Sequence, residues 1–275
     1  MIRKKIRWLV KRHPLLYKIR FKLLSKNSDL TGIEGISYNQ VNKASEIPLN
    51  YHEVNAKIFE GVSDTLTDLE KVIKIASWLK ANIKGGSGLS EPSEMALNTM
   101  LSGDGGVCSD MAQVFNNFCV INDILVREWG ATSAPFNLNY GGHSFNEVYI
   151  SELNQWVLID VSYTIFFYDS RNNKLSVPEF FKLKRQNKKV VYKSFVEDSE
   201  AVKEAVDKNY LNESIVPFLI CDYSNKTYDW HLSRFRPFFP IFTIHFFIFM
   251  INKSYHYKFP LDNFKDIFNR VVPEN

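Results

Sequence analysis

The chain has 275 residues, of which 45% are hydrophobic, and its formal net charge is +4. A chain of this length and composition can bury a full core, as one large domain or as two small ones. Its three cysteines are too few, and odd in number, to form a disulfide framework. This cysteine content favours a reducing compartment, and we expect a cytoplasmic protein.

The charge is unevenly distributed along the chain. Residues 1–28 contain ten of the 34 Lys and Arg residues and no Asp or Glu. The remainder has 24 basic and 30 acidic side chains, so the body of the protein is mildly acidic. No secretory signal is expected, because Arg7, Lys11 and Arg12 interrupt any apolar segment near the N-terminus.

Residues 1–28 are predicted to form a basic amphipathic helical leader. Apolar side chains recur there on one helical stripe, namely Ile2, Ile6, Leu9, Leu16, Ile19 and Leu23. Pro14 would kink this helix or begin a second one. The leader either packs on the body through its stripe or makes a peripheral contact with an anionic membrane. No nucleic-acid partner is expected, since the body is acidic and the basic segment has few interleaved aromatic residues.

Residues 29–64 are interpreted as a loop-rich lead-in, and three helices are predicted after it. The first runs from about Thr65 to Ile83, with Thr65 or Thr67 as its cap and the glycine-rich segment 85–88 as its end. A short helix is predicted over 92–101. A glycine-rich loop at 103–106 then precedes a helix predicted from Cys108 to about Ile121.

Apolar and polar residues alternate in the region after this helix, as they do in β-strands. Residues 124–129 are interpreted as one strand, and 144–150 and 155–159 are predicted to form a hairpin. If 151–154 is a four-residue loop, Ile150 pairs with Gln155. His143 and Asp160 are then diagonal neighbours on one face of the sheet, about 7 Å apart at Cβ. A loop one residue longer or shorter would place them on opposite faces.

Residues beyond about 170 are rich in aromatic side chains and are harder to assign. Residues 182–189 are interpreted as a solvated basic turn or helix face, and 196–209 as helical. The apolar segment 237–251 is predicted to be buried strand or core, with a membrane-dipping segment as the alternative. It is shorter than the roughly 20 residues that a spanning helix needs. His231 and His245 have no Cys or His partner at metal-ligand spacing, so both are interpreted as structural.

Cys108, His143 and Asp160 are the candidate catalytic residues. Glycines precede both Cys108 and His143, and Cys108 begins a predicted helix. A cysteine is a useful nucleophile as its thiolate, which an imidazole and a helix N-terminus both stabilise, while a carboxylate orients the imidazole. Each residue alone is more often structural. The three together, in this order, favour a catalytic site.

Three sequence blocks resemble the core of the transglutaminase-like superfamily. They are Gly106-Val107-Cys108-Ser109-Asp110-Met111-Ala112, Gly142-His143-Ser144-Phe145-Asn146-Glu147-Val148, and Trp156-Val157-Leu158-Ile159-Asp160. The resemblance covers roughly residues 65–165. Ser144 and Phe145 replace the alanine and tryptophan often seen after the histidine, and Val161-Ser162 replaces a Pro-Thr after the aspartate, so the substrate cleft is expected to differ.

The resemblance implies an α+β, papain-like core, in which the nucleophile at a helix N-terminus packs on an antiparallel sheet. It also implies a thiol-dependent amide hydrolase or acyltransferase that acts on a peptide or another amide through a thioester. Cys108 would be the nucleophile, His143 the base and acid, and Asp160 the group that orients His143. Neither a metal nor a cofactor is required. Glu147 also matches the family pattern, either as an acid supporting the site or as an exposed strand residue.

Two other classes of function remain open. The same fold could serve as a non-catalytic binding or scaffold module, with or without a membrane surface. A membrane-surface accessory protein, dominated by the basic leader and by 237–251, is the third possibility. The predicted division of the chain is a leader at 1–28, a transglutaminase-like core at 29–170, and a C-terminal extension at 171–275 that packs on the core.

Overall fold

The computed structural model describes residues 14–62, 65–137, 139–196 and 200–269. Its α-helices are α1 (Pro14–Leu24), α2 (Leu49–Ile58), α3 (Asp68–Asn82), α4 (Ser93–Leu101), α5 (Cys108–Ile121), α6 (Val177–Arg185), α7 (Glu200–Val206), α8 (Asn225–Phe235), α9 (Ile241–Met250) and α10 (Phe264–Asn269). Its strands are β1 (Ser25–Asn27), β2 (Val126–Ser133), β3 (His143–Ile150), β4 (Gln155–Asp160), β5 (Ile165–Tyr168), β6 (Val191–Ser194), β7 (Ile215–Cys221) and β8 (His256–Phe259).

The strands form one eight-stranded sheet in the order β1-β8-β7-β2-β3-β4-β5-β6. Every neighbouring pair is antiparallel except β1 and β8. One face is covered by α2 to α5, whose apolar side chains pack with Val148 and Val157 of the sheet. The other face packs Phe145 and Leu158 against α6 and the segment around Tyr210. The predicted α+β class is therefore confirmed, with the cysteine at the start of a helix that packs on an antiparallel sheet.

The three predicted helices before the sheet are confirmed. Thr67 caps α3, because its hydroxyl accepts from the Glu70 backbone N–H while the Glu70 carboxylate accepts from the Thr67 backbone N–H. Helix α4 begins one residue after Pro92, and α5 begins at Cys108. Helix α2 was not predicted. It lies within the segment interpreted as a loop-rich lead-in, and Tyr51, Val54 and Ile58 are the buried residues of this helix.

The predicted leader differs from the structure where the two can be compared. Residues 1–13 lie outside the described part, together with half of the predicted stripe. Helix α1 ends at Leu24, and Ser25–Asn27 forms β1 instead of continuing the helix. The stripe prediction is wrong in α1, since Ile19 and Leu23 are 44% and 51% exposed while Phe21 and Leu24 are buried. The aromatic ring of Phe21 packs among several other rings, which outweighs the aliphatic periodicity.

The predicted hairpin is confirmed in its register. Ile150 pairs with Gln155 and Asn146 with Ile159. The loop forms a short 3-10 turn over Ser151–Leu153, and Asn154 adopts a left-handed conformation, which asparagine tolerates well. This register places His143 and Asp160 on one face of the sheet.

Residues beyond 170 contribute to the same sheet. Strand β7 pairs with β2 and β8 pairs with β7, so both lie on the side of β2 opposite the hairpin. The strand prediction for 237–251 is wrong, because residues 241–250 form α9 after Pro240. Only Ile244 and Ile248, one helical turn apart, are buried in it. No helix in the described part of the chain is both long and apolar enough to cross a membrane.

Candidate active site

Cys108 lies at the N-terminus of α5, where two glycine-rich loops meet. The Gly86 N–H donates to the Gly106 carbonyl at 2.7 Å, and the Gly106 N–H donates to the Ser87 carbonyl at 2.9 Å. Gly106 has a φ of +110°, and a Cβ there would lie 2.9 Å from Cε of Met100. The backbone can therefore make this turn before Cys108 only with glycine at 106.

Asp110 fixes the start of α5. Its Oδ2 atom accepts from the backbone N–H groups of Val107, at 3.0 Å, and Leu89, at 3.2 Å. A carboxylate in the first turn is favoured by the helix dipole. The N–H of Cys108 belongs to the first turn and has no acceptor within the helix, so it is available to a developing oxyanion.

His143 and Asp160 form a buried pair. Nε2 of His143 lies 2.6 Å from Oδ2 of Asp160, and the two side chains are 3% and 0% exposed. Since Asp160 occupies Nε2, Nδ1 is the ring nitrogen left to exchange a proton with Cys108. The ring of Tyr163 stacks on the imidazole at 5.3 Å between centroids, which further fixes its orientation.

Every oxygen of the Asp160 carboxylate is hydrogen-bonded. Oδ1 accepts from the backbone N–H groups of Ser162, at 2.9 Å, and Tyr163, at 3.2 Å. Oδ2 accepts from the Tyr210 hydroxyl at 2.6 Å in addition to its bond with His143. The carboxylate is thus held by the turn after β4 on one side and by a distant tyrosine on the other.

The electrostatic balance favours a positively charged imidazole. Burial alone would lower the pKa of His143. The charge and hydrogen bond of Asp160, together with the hydrogen bond and charge of the Cys108 side chain, outweigh burial and raise it from 6.5 to about 10. The structure therefore brings all three predicted residues together, and Cys108 faces the imidazole from the helix side of the cleft.

Cys108 and His143 lie between two openings. One is a cavity of about 510 Å³ that extends between α5 and the sheet. The other, of about 360 Å³, lies on the opposite side of the pair and contains Lys80, Lys84 and Lys208 in its lining. Both openings include Cys108 and His143 in their lining.

Residues 53–161 match the family model of the transglutaminase-like superfamily. The match includes Cys108, His143 and Asp160 in the order and setting described above. Over this segment the chain is therefore similar to the transglutaminase-like superfamily.

The chain is also similar to a solved structure, a proposed cysteine protease from Cytophaga hutchinsonii. The identity is 22%, and the TM-score is 0.31. The similarity covers 41% of this chain and 37% of that one, so the chain spans just over a third of that structure's length. No curated protein matches the chain.

Tyr210 is a residue of the site that the sequence did not reveal. It lies outside the transglutaminase-like segment, in a wide helical turn over Asp207–Leu211, yet it is fully buried against Asp160. Lys184 secures this turn, since its ammonium group donates to the backbone carbonyls of Tyr210 and Asn212. Tyr210 is 50 residues beyond Asp160 and lies in a segment without a strong periodic pattern. The sequence therefore gives no local signal of this contact.

Glu147, which matches the transglutaminase-like pattern, is neither exposed nor in contact with the His143–Asp160 pair. It is fully buried. Its carboxylate accepts from the Trp129 indole at 3.0 Å, from the Val177 backbone N–H at 2.8 Å, and from Arg127 at 3.3 Å. The residue therefore joins the sheet to α6.

Cys119 and Cys221 are buried and unbridged, and burial raises the pKa of the Cys119 thiol well above its usual value. Nδ1 of His231 bonds to the Thr227 carbonyl at 2.7 Å. Among the residues described, no group of three or more His, Cys, Asp or Glu is arranged to hold a metal ion.

Proposed function

We propose that this protein is a thiol-dependent amide hydrolase or acyltransferase, with Cys108, His143 and Asp160 as its catalytic residues. One observation carries the proposal. A buried imidazole bonded to a carboxylate at 2.6 Å lies beside a cysteine at a helix N-terminus. Structural histidines do not require this combination, whereas a thiol catalyst does.

Before the reaction the thiol proton of Cys108 is held by His143 as its imidazolium, and in the first half of the reaction the Cys108 thiolate attacks the substrate carbonyl carbon. The carbonyl oxygen becomes an oxyanion, which the Cys108 N–H stabilises; one such donor is typically worth about 3 kcal/mol. The C–N bond then breaks, His143 gives its proton to the leaving amine, and a thioester remains on Cys108.

In the second half, His143 takes a proton from water or from an incoming amine. The resulting nucleophile attacks the thioester carbon, the S–C bond breaks, and the thiolate is restored beside the imidazolium. Water as acceptor gives a protease, amidase or deamidase, and an amine gives a transamidase. Asp160 supports the positive imidazole in both halves.

The experiment uses p-nitrophenyl acetate as a general acyl donor. We expect a rapid release of p-nitrophenolate equal to the enzyme concentration, and intact mass and peptide mapping should find one acetyl group on Cys108. Cys108→Ala should abolish this burst, while Cys119→Ala, which removes a buried thiol, should retain it. Comparing release with and without added amine then identifies the acceptor. Acetylation of Cys108 at the same slow rate in wild type and His143→Ala would favour a non-catalytic binding module.

A second candidate function is peripheral membrane binding, and an exposed apolar surface favours it. On α9, Phe246, Phe247 and Met250 are 46%, 52% and 65% exposed. Ile19 and Leu23 of α1 lie beside them, because they line a small shared cavity with Phe246. An apolar surface of this kind marks a contact site.

Charge on α1 favours an anionic lipid surface as the partner. Lys18 and Lys22 are exposed on this helix, and the preceding residues 1–13 are strongly basic. Phe247→Ser with Met250→Ser should reduce sedimentation with phosphatidylserine vesicles several-fold. Leu49→Ser, at a residue 72% exposed on α2, is the matched control. Equal partitioning to anionic and neutral vesicles would refute this candidate.

A further inference from the structure

The cavity on the α5 side of Cys108 is acidic. Glu91, Asp110 and Glu128 line it, and no Lys or Arg among the described residues does. The opening on the other side of Cys108 has three lysines in its lining. The two openings therefore differ in the charged side chains that line them.

The three carboxylates differ in what already neutralises them. Glu91 forms an ion pair with Arg236 at 2.9 Å. Asp110 accepts hydrogen bonds from the backbone N–H groups of Leu89 and Val107 at the start of α5. Glu128 of β2 has no cationic partner among the described residues, although it is 3% exposed.

Glu128 has one carboxylate oxygen without a protein donor. Oε2 accepts from the side-chain amides of Asn116, at 3.1 Å, and Gln113, at 3.4 Å. Within the described part of the chain, no hydrogen bond reaches Oε1, and Glu128 lines the cavity. A buried carboxylate that serves only the fold is normally satisfied at both oxygens.

Glu128 lies deep in the cavity relative to Cys108, at a depth that suits a long substrate side chain. Glu128 bonds to Gln113 and Asn116, which are five and eight residues after Cys108 on α5 and so about 7.5 and 12 Å farther along the helix axis. An extended lysine or arginine side chain next to the attacked carbonyl covers much of this distance. Gln113, Glu128 and Cys108 line the same cavity.

The other walls of the cavity are largely aromatic. Tyr51, Tyr223, Tyr255 and Tyr257 line it, with Tyr223 stacked on Tyr38 and Tyr228, and with Arg20 over the ring of Tyr255. The nearby Arg20 donates to the Tyr255 hydroxyl and is not part of the lining. Burial raises the pKa of Glu128 to about 8, although the bonds from Gln113 and Asn116 oppose this shift. A bound cation would stabilise the ionised carboxylate.

We propose that this cavity is the subsite for a cationic side chain, ending in an ammonium or guanidinium group, on the residue whose carbonyl Cys108 attacks. Glu128 is the residue that determines this specificity, through Oε1. The inference rests on the proposed thiol chemistry, because the subsite is defined relative to Cys108. Basic residues next to the amide are then preferred over neutral residues of the same length, and acidic ones are excluded.

The experiment measures second-order rates of Cys108 alkylation by three acetylated chloromethyl ketones, built on lysine, norleucine and glutamate. We expect the lysyl ketone to react at least tenfold faster than the norleucyl ketone in the wild type, and the glutamyl ketone to be the slowest. Glu128→Gln should bring the lysyl-to-norleucyl ratio close to one. Glu60→Gln, which removes the same charge from an exposed position outside the cavity, should keep the preference.

Equal lysyl and norleucyl rates in the wild type would overturn the subsite, and this comparison does not depend on any variant folding. A lysyl preference that survives in folded Glu128→Gln would also overturn it. Failure of the catalytic proposal looks different, since all three ketones would then alkylate Cys108 no faster than they alkylate a free thiol in a short peptide.

Discussion

The Tyr210 hydroxyl donates a hydrogen bond of 2.6 Å to Oδ2 of Asp160, and both side chains are fully buried. The same oxygen is bonded to His143. Tyr210 lies in the C-terminal part of the chain, outside the transglutaminase-like segment 53–161. The orientation of the imidazole therefore depends on residues that the family match does not include.

Tyr210→Phe should slow acetylation of Cys108 by roughly tenfold and reduce the free energy of unfolding by about 1.5–3 kcal/mol. The variant removes one hydrogen bond to a charged group while keeping the ring. The measurements are the acetylation rate as a function of pH and urea unfolding. Tyr168→Phe, a partly exposed tyrosine of β5 away from the site, should change neither. A variant that loses stability but keeps the wild-type pH profile would show that Tyr210 supports only the fold.

Asp160→Asn should lower the pKa of His143 and reduce acetylation by about 10³- to 10⁴-fold. Its charge and hydrogen bond are the main causes that raise the pKa of this imidazole against the effect of burial. The pKa can be followed through the imidazole proton resonances in an NMR titration. An unchanged pKa of His143 in a folded variant would contradict the assigned role of Asp160.

Gly106→Ala should displace Cys108 and reduce both stability and acetylation, by at least tenfold for the rate. An alanine there would hold a positive φ of +110°, and its Cβ would press on Met100 at 2.9 Å. Gly35→Ala is the matched control, since a Cβ there meets nothing within 4 Å. If thermal unfolding and acetylation of Gly106→Ala equal those of Gly35→Ala, the glycine loop does not position the cysteine.

The stability of the protein should fall as pH rises from 8 through 10. The folded-state pKa of His143, about 10, exceeds its usual value of 6.5. The stabilisation from its protonation is thus complete below about pH 6.5 and is lost as pH passes 10. Glu128, whose pKa is raised from 4.5 to about 8, adds a separate decrease in stability between about pH 4.5 and pH 8. Urea unfolding of wild type and His143→Gln at several pH values should show a shallower decline above pH 8 in the variant, and parallel curves would contradict this.

The sequence predicted the central part of the fold because strong local signals lie there. Thr67 and Glu70 form a capping box, and the four-residue loop fixes the register of the hairpin. That register places His143 beside Asp160, and the prediction of a helix from Cys108 is confirmed. The placement of His143 beside Asp160 thus followed from a four-residue loop and the parity of β-strands.

The remaining features depend on tertiary contacts that leave no local pattern. Residues 237–251 are apolar and β-branched, as expected for a strand, yet they form α9 because Pro240 begins a helix that packs through Ile244 and Ile248. Tyr210 and Glu128 resemble ordinary buried side chains in the sequence. Their roles follow only from the partners that the sheet and α5 bring to them.

The most direct test of the central claim is the rate at which iodoacetamide alkylates Cys108 as a function of pH. Wild type should react rapidly near neutral pH, and His143→Ala should react at least a hundredfold more slowly there. Peptide mapping assigns the label to Cys108, and circular dichroism confirms that the variant is folded. If Cys108 instead reacts only at alkaline pH, at the same rate in both proteins, the cysteine and histidine do not form a catalytic pair.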